Sequence, residues 1–96
     1  MANDPKVTTI FYGLQAIIDS VDKSPAKERD KFAPISLADQ FNKLREAAMP
    51  FIKFPDLVPA AVRKGLSGDS VAHSVDLRIY AVQIRDMLPY EQSFIG

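Results

Sequence analysis

The sequence predicts an all-α fold, a small irregular four-helix bundle with a proline-rich connector between predicted helices 2 and 3. Three observations predict it. Apolar residues recur at three- and four-residue steps over long segments, prolines fall at or near the ends of these segments, and no segment reads convincingly as a strand. At 96 residues the chain is expected to form one domain, residues 1–96.

The first predicted helix has the clearest pattern. Asp4 is a good N-cap, and Pro5 suits the first helical position, where a missing amide hydrogen costs nothing. Ser24 and Pro25 are expected to end the helix. One continuous apolar stripe runs along it, made of Val7, Ile10, Phe11, Leu14, Ile17, Ile18 and Val21.

The second predicted helix follows a charged connector. Residues 23–31 are expected to form a solvated link or one short exposed helical turn. Ser36 and Asp39 resemble a capping box and predict the start of the helix. Pro50 predicts its end or a kink near Met49. The expected buried stripe is Leu37, Phe41, Leu44 and Ala48.

The proline-rich connector and a short third helix come next. Residues 49–55 are aromatic and proline-rich and are expected to pack in an extended or irregular form. Asp56 can cap a helix over 57–64, with Pro59 tolerated in the first turn and Gly65 as the C-terminal stop.

The fourth predicted helix starts around Asp69 or Ser70 and runs to Leu88, before Pro89. At 100° per residue it carries two apolar faces. The core face comprises Leu77, Tyr80, Ala81, Ile84, Met87 and Leu88. The opposite face, here termed the outer stripe, comprises Val71, Val75, Ile79 and Val82.

A helix with two apolar faces is either the centre of its own fold or covered by another chain. Arg78 and Arg85 flank the outer stripe, and arginine at the edge of apolar anchors suits an interface. The tail from Tyr90 to Gly96 is too apolar for a free end and is expected to dock. The candidate partner-binding residues are Val71, Val75, Arg78, Ile79, Val82, Arg85, Tyr90 and Phe94.

The composition of the chain argues against several classes of function. Twelve basic residues balance twelve acidic ones, so the formal net charge is zero and no general attraction to nucleic acid is expected. With no cysteine and one histidine, we expect no catalytic centre, no metal site and no cofactor. The N-terminus lacks the layout of a secretory signal and no apolar run could span a bilayer, which predicts a cytoplasmic protein without membrane partners.

Two short segments resemble known families. Residues 61–71, with Gly65 in the turn, resemble the corner of DNA-binding helix-turn-helix proteins, which would make the fourth helix a recognition helix. A plain helix–glycine–helix corner accounts for the same residues. Residues 68–71 are similar to the phosphopantetheine attachment site of acyl and peptidyl carrier proteins, a resemblance that implies Ser70 as the acceptor.

One group of possible metal ligands lies in the fourth predicted helix. Three side chains would project from one side of that helix, those of Asp69, His73 and Asp76. They could bind a cation. The simpler interpretation is that Asp69 caps the helix and His73 forms a hydrogen bond. Taken together, the sequence predicts a non-catalytic helical protein that binds protein, as an accessory or structural subunit or a homo-oligomer of a larger intracellular or viral assembly. A helix-turn-helix DNA-binding regulator is the alternative.

Overall fold

The structure, a computed structural model, describes residues 4–66 and 68–90. These residues form four α-helices and no strand, which confirms the all-α class. The helices are α1 (Pro5–Lys23), α2 (Ala26–Arg29), α3 (Ile35–Ala48) and α4 (Ser74–Met87), with 3-10 turns at Met49–Phe51 and Pro55–Leu57. The core lies between the three long helices, and α1 packs most extensively against α4.

Helix α1 matches its prediction closely. The Asp4 carboxylate accepts a hydrogen bond of 2.8 Å from the Lys6 amide, so the expected N-cap is formed. All seven residues of its predicted apolar stripe are buried. The short α2 buries no residue, as expected for the charged connector.

Helix α3 starts earlier than predicted. Pro34 is its N-cap residue and Ser36 lies inside its first turn, so the predicted capping box is wrong. Phe41 and Ala48 are buried as expected, whereas Leu37 and Leu44 are only partly buried. The helix ends at Ala48, where Met49–Phe51 tightens into a 3-10 turn.

The predicted helix over 57–64 does not form. After the 3-10 turn the backbone extends, and its polar groups bond to side chains of α3 instead of to each other. The Asn42 amide group donates to the Val62 carbonyl and accepts from the Val62 amide, both at 2.8 Å. Arg45 Nε donates to the Pro59 carbonyl at 2.7 Å. These three hydrogen bonds provide partners for the backbone groups of Pro59 and Val62 outside a helix. Pro59 itself has no amide hydrogen to donate.

The chain entering α4 is also extended, so α4 begins at Ser74 rather than near Asp69. This entry segment pairs with residues 31–33, which lead into α3. Ala33 donates to the Ala72 carbonyl at 2.8 Å, and the Ser74 amide donates to the Lys31 carbonyl at 2.9 Å. Hydrogen bonds to a neighbouring segment therefore replace the first helical turn that the sequence predicted.

Candidate functional site

The outer stripe is largely exposed in a single chain. Val71, Val75 and Ile79 leave 49%, 39% and 45% of their surface accessible. Val82 is partly buried and packs against the core. Val71 lies in the extended segment before α4. Three of the four predicted residues are thus exposed, and two of them, Val75 and Ile79, share the face of α4 that points away from the core.

The opposite face of α4 is the core face. Leu77, Ala81 and Ile84 are each fully buried. The five-residue step from Ile79 to Ile84 turns an ideal helix by about 140°, which places the two isoleucines on different sides. The difference in their burial follows from that rotation, since α1 and α3 cover only one side of α4.

The two predicted flanking arginines are engaged with α1. Arg78 donates to the two carboxylate oxygens of Asp22 at 2.6 and 3.3 Å. Arg85 donates to Gln15 Oε1 at 2.7 Å and to Asp86 Oδ1 at 3.1 Å. The Arg78 hydrogen bond lowers the pKa of Asp22 below its usual range. Both arginines therefore help to position α4 on α1 along one edge of the outer stripe.

Tyr90 contacts α1 and does not extend the outer stripe. Its ring stacks on Phe11 at a centroid distance of 4.1 Å, and its hydroxyl donates to the Tyr12 hydroxyl at 3.1 Å. That hydrogen bond raises the pKa of Tyr90. The start of the tail is therefore docked as predicted. Phe94, the last predicted contact residue, lies outside the described residues.

Leu66 was missed by the sequence prediction. It is fully exposed at the tip of the loop before α4. Its neighbour Gly65 is close to the outer stripe, since a Cβ at Gly65 would lie 3.5 Å from Val71 Cγ1. The sequence prediction placed Leu66 in a corner between two helices, whereas the first of these helices does not form.

The geometry needed for the helix-turn-helix resemblance is absent from the described residues. The segment that would form the first helix is extended, and α4 starts at Ser74, beyond the proposed turn. Ser70 is buried and its hydroxyl donates to the Ala72 carbonyl at 2.9 Å, so it is not placed as an acceptor for phosphopantetheine.

The histidine cluster is also arranged differently from the prediction. His73 is the N-cap residue of α4, and its Nδ1 lies 3.6 Å from Asp76 Oδ2. Its ring stacks on Phe32 at a centroid distance of 4.5 Å. Asp69 lies in the loop before the helix and not on its side. Within residues 4–66 and 68–90, no group of three potential ligands is close enough to hold a metal ion.

The described residues enclose a cleft of about 740 Å³, here termed the polar cleft. It lies where the end of α1, the α2 segment and the first turns of α3 and α4 meet. Hydroxyl, carboxylate, ammonium and imidazole groups all line it. A smaller apolar groove of about 370 Å³ lies at the other end of α1, between Ile10 and Phe51.

Comparison of the chain with known proteins finds no match. The chain matches no family model, and no curated protein or solved structure is similar to it. Among the helices of the described residues, none combines the length and the apolar character that crossing a membrane requires.

Proposed function

We propose that this chain works by binding protein through the outer stripe, as a non-catalytic accessory or structural subunit or a homo-oligomer of a larger intracellular or viral assembly, with the cytoplasm as its location. The single observation that carries the proposal is the exposure of Val75 and Ile79 on one side of α4, with exposed Val71 in the segment before the helix. Burying apolar surface of this kind contributes roughly 25 cal/mol per Å², so covering the strip favours association.

The spacing of the outer stripe supports a helix as the covering element. Its three members on α4, Val75, Ile79 and Val82, are separated by four and three residues, the spacing at which one helix packs against another. The β-branched side chains at these positions hold few rotamers, so packing them costs little conformational entropy. A second apolar helix is therefore the surface that best fits this face.

Charge supports a second copy of the chain as the partner. The formal net charge is zero, so two copies do not repel each other over long distances. The Arg78–Asp22 pair beside the stripe presents both signs of charge, and each side chain keeps more than a third of its surface exposed. The face thus has no charge excess that would select an oppositely charged partner.

The size of the strip predicts weak association. A stable interface covers about 800 Å² on each partner, more than three side chains of this size supply. Exposed Leu66 beside Val71 enlarges the surface. We therefore expect a dimer that forms and dissociates with protein concentration, with a dissociation constant of roughly micromolar or weaker.

Sedimentation equilibrium over a range of concentrations tests this proposal. The wild-type chain is expected to show reversible self-association, and Ile79→Glu is expected to remain monomeric at every concentration because it places a charge inside the contact. Lys43→Glu is the matched control, since Lys43 is exposed on α3, away from the stripe. Circular dichroism establishes that both variants keep their helices.

Three outcomes would overturn self-association. The wild-type chain could remain monomeric throughout, the dimer could survive Ile79→Glu, or Lys43→Glu could weaken it equally. If the wild-type chain is monomeric but captures another protein, and Ile79→Glu abolishes that capture while Lys43→Glu does not, the stripe is an interface for a different chain.

A further inference from the structure

We infer that the apolar groove between Ile10 and Phe51 binds the C-terminal segment of the same chain, residues 91–96, with Phe94 as the side chain that enters it. These six residues lie outside the described residues, so the inference uses only their sequence and the position at which the described chain ends. The groove is formed by α1 and the chain at the end of α3, so the inference is independent of the outer stripe. It gives Phe94 a place on its own chain instead of at the outer stripe.

The apolar groove has accessible apolar surface and space for a side chain. It lies between the first turns of α1 and the end of α3, and its apolar lining is Pro5, Ile10, Ala47 and Phe51. Pro5 and Ala47 are exposed and Phe51 is only partly buried, so the described residues leave this surface uncovered. The volume of about 370 Å³ is above the roughly 300 Å³ at which ligand pockets begin. Covering the groove with an apolar side chain is therefore favourable.

The described chain ends on the part of α1 that lies next to the groove. Helix α4 runs antiparallel to α1, so its contacts move toward the start of α1 as the chain proceeds. Three contacts in chain order show this, namely Asp22–Arg78, Gln15–Arg85 and Phe11–Tyr90. A chain that continues in this direction beyond Tyr90 passes along the first turns of α1, where Pro5 and Lys6 line the groove.

The segment is long enough to reach the groove. The Tyr90 hydroxyl lies 3.1 Å from the Tyr12 hydroxyl, so the described chain ends beside Tyr12. Tyr12 and Thr9 are three positions apart on α1, which places their Cβ atoms about 5–6 Å from each other, and Thr9 lines the groove. Phe94 is four residues beyond Tyr90, and four extended residues span up to about 14 Å. Phe94 is therefore within reach of the groove.

The composition of residues 91–96 matches the lining of the groove. Phe94 and Ile95 are adjacent large apolar residues, and an aromatic side chain buries roughly 150–250 Å² when it packs. Glu91 is the one charged side chain of the segment, and Lys6 is the one charged residue among the described residues that line the groove. Because a pair of opposite charges at the surface contributes little, the apolar contact of Phe94 is expected to hold the segment in place.

Paramagnetic labelling of the full chain tests the inference. The sequence has no cysteine, so Gly96→Cys provides a single attachment point for a nitroxide, which broadens only nearby amide signals. In dilute ¹⁵N-labelled protein, we expect this nitroxide to broaden the signals of Lys6, Thr9 and Ala47. A nitroxide on Lys27→Cys is the matched control. Lys27 is exposed on α2 at the other end of α1, so its nitroxide should leave the groove signals sharp.

Two substitutions and one mixed sample complete the test. In the Gly96→Cys protein, Phe94→Ser is expected to abolish the broadening at the groove, whereas Ser93→Ala, at the neighbouring position, is expected to keep it. Sharp groove signals in the parent protein would overturn the inference, as would equal broadening after Phe94→Ser or an equal loss after Ser93→Ala. Nitroxide-labelled chains without ¹⁵N are also mixed with ¹⁵N-labelled chains without nitroxide. Equal broadening in that mixture would overturn the inference too, because the segment would then bind a second copy.

Discussion

The guanidinium group of Arg78 and the carboxylate of Asp22 join the first half of α4 to the end of α1 through hydrogen bonds of 2.6 and 3.3 Å. The two residues are 56 positions apart in the sequence. Their pairing lies at the edge of the outer stripe and adds to the packing of the buried residues Leu77, Ala81 and Ile84, which sets the side of α4 that faces the core. The exposed side of α4 is therefore determined by the packing of one chain.

Replacing Asp22 with Asn should make the free energy of unfolding less dependent on pH in the acidic range. The pKa of Asp22 is lowered from 3.8 in the folded chain, chiefly by the hydrogen bond from Arg78, so the ionised form stabilises the fold. This contribution is complete above pH 3.8 and is lost as pH falls through the lower pKa of the folded state. Urea denaturation of the wild type and Asp22→Asn across this range measures it.

The wild type is expected to be the more stable protein at neutral pH, and the difference should disappear in acid. Added salt should reduce the neutral-pH difference, because both side chains are exposed to solvent. A difference that stays constant from neutral pH into acid would show that the charge of Asp22 does not contribute.

The two isoleucines of α4 give a matched pair of stability predictions. Ile84→Ala removes a fully buried side chain and should cost about 2–5 kcal/mol of unfolding free energy. Ile79→Ala, measured on the dilute monomer, should change it by less than about 0.5 kcal/mol, because this side chain is 45% exposed. Equal losses for the two variants would mean that both faces of α4 are core.

Asn42 should be essential to the segment that replaces the predicted third helix. Asn42→Ala removes both partners of the Val62 backbone, and Val62 is buried, so we expect a loss of about 1–3 kcal/mol. Lys43→Ala, at the next and exposed position of α3, is the control and should be nearly neutral. If Asn42→Ala were as stable as the wild type, water would be satisfying the Val62 backbone equally well.

The long helices could be predicted because their periodicity and caps are local. The apolar stripe of α1 and its Asp4 cap need no information from the rest of the chain. The segment from Val58 to Val62 is different, since its conformation depends on Asn42 and Arg45 of another helix. Such long-range hydrogen bonds leave no periodic pattern in the sequence, so local helix signals at Asp56 and Gly65 were misleading there.

One part of the candidate site could also be predicted from the sequence, and another part could not. The exposure of Val75 and Ile79 follows from helix geometry once the core face is identified, so this part of the outer stripe could be anticipated. The pairing of Arg78 with Asp22 and the convergence of two helix starts at the polar cleft depend on tertiary packing. Neither has a signature in the neighbouring sequence.

An isotope-filtered NOE measurement on a mixture of labelled and unlabelled chains tests the central proposal most directly. If the outer stripe of one copy packs on a second copy, the methyl groups of Val75 and Ile79 should show NOEs between chains, and those of buried Ile84 should show only NOEs within a chain. The absence of intermolecular NOEs at Val75 and Ile79, at concentrations where the sedimentation data require a dimer, would contradict the proposal.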